Sequence, residues 1–179
     1  MIRTSEAGPV ALVCLGLQRG RLGFGGADRI VVACRRVMEG ARARGWPVLH
    51  VHSRDTPADH GRPIAGLEPL ASEAVFLRPG PSAFSNRAFS QAAQALGGPL
   101  ALIGFALSDT ILATAFAAAD RDLRIDVIAD AVAVGRREDP LLRAALHAPL
   151  EALGPLARLM DSTDLFEESA ARFAAANLP

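Results

Sequence analysis

Short apolar runs recur along the chain, and segments with helical spacing of apolar residues separate them. The first run, VALVCL at 10–15, has no polar alternation, which is typical of a central strand buried on both faces. The run WPVLHVH at 46–52 turns polar at its carboxyl end, where His52, Ser53, Arg54 and Asp55 are expected to reach the rim of the sheet. The predicted strands cover residues 10–15, 46–52, 75–78, 99–104, 125–129 and 157–160, the last as an edge strand.

Apolar residues at helical spacing, with capping residues before them, predict helices between and after these strands. Asp28 is the predicted cap of the first helix, and Asn86 or Ser85 that of the second. The predicted helices cover residues 28–44, 86–96, 110–119, 138–149 and 165–176, and Pro149 kinks or ends the fourth. Because strands and helices alternate, the chain favours right-handed βαβ units and a single-domain, three-layer α/β/α fold with a mostly parallel six-stranded sheet.

The stretch from 104 to 132 predicts a strand end, a tight loop, an alanine-rich helix and a further strand. Ser108 and Asp109 are candidate N-caps for a helix that begins at Thr110. Open α/β sheets bind their ligands at the carboxyl ends of the strands, and free N–H groups of a helix start favour an anion or a developing oxyanion there. Thr110 is therefore the first candidate site residue.

A loop rich in proline and glycine at 56–70 is expected to cross the same edge of the sheet. His50 and His52 share one face of their strand, and together with Asp55 or His60 they offer metal-ligand chemistry. The structural interpretation of these histidines is favoured, and no metal or other cofactor is expected.

Composition narrows the class of protein. The chain of 179 residues suits one domain over 1–179, and its nineteen basic residues, all arginine, balance nineteen acidic ones. This balance favours neither nucleic acid nor a membrane as partner, and no apolar run has the length of a membrane span. We expect a cytoplasmic protein with a small-molecule ligand. Cys14 and Cys34 are expected in the core, as small apolar residues.

Four motifs in order resemble the isochorismatase-like cysteine hydrolases, which include nicotinamidases, N-carbamoylsarcosine amidases and isochorismatases. ALVCLGLQ at 11–18 is similar to the family's first strand, and ARGWPVLHVHSRD at 43–55 to its second. RPGPSAF at 78–84 resembles the family's lysine segment, and GFALSDTILATA at 104–115 resembles its nucleophile loop. The resemblance spans nearly the whole chain, and it implies the fold predicted above with the Rossmann-like strand order 3-2-1-4-5-6.

In that family an Asp acts as general base, a Lys provides a positive charge between the Asp and the Cys, and the Cys thiolate attacks the substrate. The resemblance places these three positions at Gly16, Arg78 and Thr110, and all three differ from the family's residues. It also implies a cis peptide between Phe105 and Ala106. The other residues assigned to the pocket or oxyanion loop are Leu107, Ser108, Asp109, Gln18, Phe84 and His52.

Three interpretations of the missing triad stay open. The first is a degenerate family member, inactive as a cysteine hydrolase, that binds a small molecule or serves as an assembly subunit. The second is a hydrolase of a small amide, carbamoyl or vinyl-ether substrate with a rebuilt site, in which Thr110 is the nucleophile and Asp109, His52 or His60 is the base. The third is a module that binds a small anionic or phosphorylated ligand through Arg78 and the helix start.

Self-association, as a dimer or a larger oligomer, is also expected. The apolar helix at 110–119 and the alanine-rich carboxyl end at 170–179 offer more apolar surface than one domain of this size readily buries. The family resemblance implies oligomers as well.

Overall fold

The computed structural model describes residues 10–24, 26–54, 56–137 and 139–176. Six strands form one sheet in the order β3-β2-β1-β4-β5-β6, and each neighbouring pair is parallel. This confirms the predicted sheet and its strand order. The strands are β1 Ala11–Leu15, β2 Val48–Ser53, β3 Ala74–Arg78, β4 Leu100–Phe105, β5 Ile125–Ala133 and β6 Ala157–Met160.

Helices cover both faces of the sheet. They are α1 Ala27–Ala43, α2 Ala58–Gly61, α3 Arg87–Leu96, α4 Leu112–Ala119, α5 Pro140–Glu151 and α6 Ser162–Ala176. One core lies between the sheet and the helices α1 and α6, and it contains Cys34 and Leu165. The other core lies between the sheet and the helices α3, α4 and α5, and it contains Phe89 and Leu150. The two cores give the three layers that the alternation of elements predicted.

Side-chain caps begin two of these helices, of which the cap at Asn86 was predicted and the cap at Asp139 was not. The Asn86 side chain accepts a hydrogen bond from the Phe89 N–H at 3.0 Å, and the Asp139 side chain accepts one from the Leu141 N–H at 2.9 Å. Pro140 occupies the first turn of α5, where a missing N–H costs nothing. The cap predicted at Asp28 is wrong, because α1 already begins at Ala27.

The loop after β4 differs from its prediction. A π-helical turn at Leu107–Ile111 leads directly into α4, so helical structure begins three residues before Thr110. Ala106 holds the cap position and makes no side-chain cap hydrogen bond, so the predicted caps Ser108 and Asp109 are inside the turn instead. The wide turn places Thr110 in the protein interior and leaves both of these residues exposed.

Three other boundaries also differ. β5 extends to Ala133 instead of ending at 129, with an irregular register against β4. α5 continues past Pro149 to Glu151, because a proline so near the helix end removes little of the hydrogen-bond ladder. α6 begins at Ser162, whose N–H donates to Asp130 Oδ1 at 2.9 Å.

Some predictions fall outside the described residues. Among them are the rim position of Asp55, the helix start at Glu138 and the carboxyl end from 177 to 179. Within the described part of the chain, no helix is both long enough and apolar enough to cross a membrane.

Candidate functional site

The carboxyl ends of β1 and β4 approach each other closely because a glycine stands at each, Gly16 just after β1 and Gly104 just before the last residue of β4. Gly16 has φ +61°, and a Cβ built on it would lie 2.8 Å from the carbonyl oxygen of Phe105. Gly104 has φ +117°, and its Cβ would lie 2.0 Å from the carbonyl oxygen of Leu15. The peptide between Phe105 and Ala106 is cis, as the resemblance implied. The two strand ends therefore leave no room for side chains at either glycine.

Arg78 and Thr110 meet in the interior, on the face of the sheet that α3 and α4 cover. Arg78 is 8% exposed and Thr110 is 1% exposed. The Arg78 Nη2 donates a hydrogen bond to Thr110 Oγ1 at 2.8 Å, and its Nη1 donates to the Gly80 carbonyl. The Arg78 Nε is buried and has no hydrogen-bond partner in the described structure. The sequence thus placed these two residues together correctly.

Charges around Arg78 act in both directions. Burial lowers the pKa of the Arg78 guanidinium, the negative charge of Asp109 raises it, and the positive charge of Arg21 lowers it further. Asp109 is exposed, and its carboxylate accepts a hydrogen bond from the Thr110 backbone N–H. Next to it, Ser108 donates its backbone N–H to the Val134 carbonyl at 2.9 Å.

Gln18 closes one wall of the edge. Its Nε2 donates to the Gly61 carbonyl at 3.0 Å, and its Oε1 accepts from the Ser53 N–H at 2.9 Å. The side chain is 4% exposed, so both ends of the amide are used in holding the strand ends and the loop together. Gln18 belongs to the site as a structural support.

Two residues assigned to the pocket belong to the core. Leu107 is fully buried among apolar side chains, and Phe84 is 7% exposed with its ring edge-on to Phe89 at 5.1 Å. Next to Phe84, the Ala83 N–H donates to Thr114 Oγ1 at 3.1 Å. These contacts hold the segment after Arg78 against α4, and both apolar side chains, which have no hydrogen-bonding groups, belong to the core.

His52 lies on the other face of the sheet from Arg78 and Thr110. Val48 packs in the core beside α1, whereas Val51 packs in the opposite core, and alternation along β2 places His52 with Val48. The neighbouring Arg78 follows Phe76, which packs toward the α3 and α4 side. His52 therefore does not reach Thr110, and the structure removes it as the base of a rebuilt site.

His52 nevertheless predicts a pH dependence of stability. Burial, and then the charge of His50, lower the pKa of His52 from its usual 6.5 to about 4, and its Nε2 has no partner in the described structure. Between pH 6.5 and 4 the unfolded state binds more protons at this site, so the free energy of unfolding falls as the pH is lowered. We expect the titration of His52 to lower the free energy of unfolding by about 2 kcal/mol between pH 7 and pH 5.

Urea unfolding at pH 7, 6 and 5 measures this effect. The variant His52→Leu is expected to lose less stability over the interval than the wild type, and His60→Leu, at an exposed position, is the control. Glu73 does not interfere, because hydrogen bonds from Arg42, the Leu70 N–H and His50 outweigh burial and lower its pKa to about 2, outside this window. An unchanged slope in His52→Leu would contradict the assignment.

Neither cysteine is available as a nucleophile. Burial raises the pKa of both thiols well above the usual value, and both side chains are fully buried. Cys34 Sγ donates to the Ala131 carbonyl at 3.3 Å, which holds the thiol in its protonated form. Both residues are core residues, as predicted. No group of three or more potential metal ligands lies together within the described residues.

A cleft of about 260 Å³ opens beside Gly16, and sequence reasoning did not assign several of its walls. The missed residues are Arg21, Phe24 and Arg136. The Arg21 guanidinium lies over the Phe24 ring, 5.0 Å from its centroid, and the Phe24 ring meets Phe105 edge-on at 5.7 Å. The motif at 11–18 pointed to this edge, but the arginine three residues beyond it carried no separate signal.

Comparisons with solved structures give the fold again. The chain is similar to an isochorismatase from Pseudomonas putida, with a TM-score of 0.78, 24% identity and 90% of each chain covered. It is similar to YcaC from Pseudomonas aeruginosa, solved with covalent acrylamide, at a TM-score of 0.78 and 21% identity over 92% of this chain and 80% of that one. It is also similar to MAR1 ribonuclease from Caenorhabditis elegans, at a TM-score of 0.76 and 17% identity over 97% of this chain and 94% of that one.

The sequence itself matches a family model. A search of curated proteins finds no match. The model of the isochorismatase domain matches residues 10–148, which is well over half of the chain and includes Gly16, Arg78 and Thr110. The chain therefore belongs to the isochorismatase-domain family.

Proposed function

We propose that this protein is a family member that has lost the cysteine hydrolase reaction and keeps its site for binding a small molecule. The hydrogen bond from Arg78 Nη2 to Thr110 Oγ1 carries the proposal. A guanidinium stays protonated and offers five donors and no acceptor, so it cannot take the hydroxyl proton. A threonine hydroxyl needs a base to attack a substrate, and the group bonded to it here is a protonated guanidinium.

The other groups around Thr110 supply no base either. The Asp109 carboxylate accepts from the Thr110 backbone N–H, and no hydrogen bond joins that carboxylate to the Thr110 hydroxyl within the described residues. His52 lies on the other face of the sheet. His60 lines the cleft in the loop beyond Gln18, where its Cβ lies 3.0 Å from the position a Cβ on Gly20 would take.

Position 16 supports the same conclusion. The general base of the family is an Asp at this position, and this chain has a glycine in the left-handed region. A Cβ there would lie 2.8 Å from the Phe105 carbonyl oxygen, which is closer than real Cβ contacts allow. An aspartate at position 16 would therefore require the ends of β1 and β4 to move apart.

The family fold does not by itself select a function. The solved structures similar to this chain include an isochorismatase and a ribonuclease, each under 25% identical to it. The proposal therefore rests on the side chains at the three positions. Self-association and a cytoplasmic location stay predictions from the sequence.

A substrate panel tests the proposal. Wild-type protein and Thr110→Ala are assayed with amide, carbamoyl and vinyl-ether substrates, beside a family member that has the intact triad. We expect both proteins to turn over no faster than buffer, because no activated nucleophile is present. Turnover by the wild type that disappears in Thr110→Ala would contradict the proposal and support a hydrolase with a rebuilt site.

A further inference from the structure

Arg78 and Arg21 lie near each other at the carboxyl edge of the sheet, and neither makes an ion pair within the described residues. Arg78 is 8% exposed and makes no ion pair within the described residues, and its hydrogen bonds go to a neutral hydroxyl and a neutral carbonyl. Its Nε has no partner. A buried cation is costly unless an anion compensates it, and here the exposed Asp109 carboxylate acts on the charge without forming an ion pair with Arg78.

Arg21 adds a second unmatched charge. No ion pair or hydrogen bond of its guanidinium is found in the part of the chain that the structure describes, and its contact is with the face of Phe24. The Arg21 Nε lies 3.9 Å from the position that a Cβ on Gly16 would take. The guanidinium therefore lies beside the place where the family has its carboxylate. An external anion bound here would provide the negative charge that an aspartate at position 16 provides in the family.

The cleft itself has the composition of an anion site. Arg21 and Arg136 both line it, and its described lining includes no Asp or Glu. Gln18 cannot turn to serve a ligand without breaking its bonds to Gly61 and Ser53, so the polar wall is fixed. Its volume of about 260 Å³ equals that of about nine water molecules at about 30 Å³ each.

We propose that the cleft binds a small oxyanion, a carboxylate or a phosphate on a flat apolar body, through the guanidinium groups of Arg21 and Arg136. Guanidinium groups bind both kinds of oxyanion with paired, charge-assisted hydrogen bonds. The Phe24 ring, held edge-on against Phe105, forms the flat apolar wall. This inference rests on the proposed function, since it assigns a ligand class to a cleft at the same edge of the sheet.

Calorimetry with three matched probes tests the inference. Benzoate and phenyl phosphate carry the two oxyanions on one ring, and benzamide is the neutral analogue of benzoate. We expect at least one anion to bind about tenfold or more tightly than benzamide, since a hydrogen bond to a charged group contributes roughly that much. The tighter of the two anions assigns the site to carboxylates or to phosphorylated compounds. Benzamide binding as tightly as both anions would overturn the inference.

Matched variants locate the binding. Arg21→Met and Arg136→Met keep the length of the side chain and remove its charge, and each is expected to weaken the anion about tenfold. Arg87→Met, on the exposed start of α3, is the control and is expected to bind like the wild type. Circular dichroism verifies that each variant is folded. Wild-type affinity in both cleft variants, or no anion binding up to about 10 mM, would overturn the inference.

The two proposals fail separately. A protein that turns over no substrate and binds no anion keeps the proposed function and loses the oxyanion site. A protein that turns over a substrate loses the proposed function, whatever the calorimetry shows.

Discussion

Gly104→Ala is expected to lower the free energy of unfolding by more than about 4 kcal/mol, enough to unfold much of the protein. The Cβ of alanine would lie 2.0 Å from the carbonyl oxygen of Leu15, its partner on the central strand β1. That oxygen is backbone of a strand with fully buried residues on both sides, so it cannot move away cheaply. The φ of +117° adds a conformational cost that only glycine escapes.

Urea unfolding with matched glycine variants measures this effect. Gly23→Ala is the first control, because nothing lies within 4 Å of its new Cβ and its φ is ordinary. Gly45→Ala is the second, because it has an open environment but a φ of +66°, and it is expected to lose only about 1 kcal/mol. A Gly104→Ala protein as stable as either control would show that β1 and β4 are farther apart than described.

Phe89→Ala is expected to lower the free energy of unfolding by about 3 to 5 kcal/mol, as large-to-small changes of buried aromatic residues do. Phe89 is fully buried on α3, and its ring meets Phe76 edge-on at 5.6 Å and Phe84 at 5.1 Å. Phe76 is on the strand that carries Arg78, and Phe84 is on the segment that follows it. The cavity would therefore loosen the support of Arg78 as well as the core.

Phe116→Ala is the matched control for this prediction. Phe116 lies on α4 with 44% of its surface exposed, so its removal leaves no closed cavity, and we expect a loss below about 1 kcal/mol. Thermal and urea unfolding of the two variants are compared with the wild type. Equal losses in both variants would mean that the contacts among the three rings do not stabilise this side of the sheet.

The sequence was sufficient for the fold because its signals are local and repeated. Each apolar run corresponds to a strand, and each periodic segment to a helix, so alternation alone specified the parallel sheet. The pairing of Arg78 with Thr110 was also predictable, because the family resemblance places both residues at positions of one site. The cap at Asn86 was local enough to predict, since one side chain and one nearby N–H form it.

The rest of the site depends on geometry that spacing does not encode. The face on which His52 lies follows from the packing of α1 and α4 on opposite sides of the sheet. The sequence predicted that His52 reaches the rim, but it did not predict which of the two faces the side chain is on. No residue type marks the wide turn at Leu107–Ile111 in the sequence, so the start of the helical structure was predicted at Thr110, three residues too late. Arg21 reaches the cleft because the chain turns sharply after Gly16, a backbone path set by tertiary contacts.

The hydrogen bonds between the segment that follows β1, residues 17–19, and the loop at 56–64 have a consequence for kinetics. The Gln18 Nε2 bond to Gly61, the Arg19 N–H bond to Arg62 at 2.9 Å and the Ile64 N–H bond to Leu17 at 3.0 Å join the same two segments. Separating them requires breaking all three bonds together. Because the three bonds break together, the Arg19 and Ile64 amides are expected to exchange their hydrogens with solvent at the same rate.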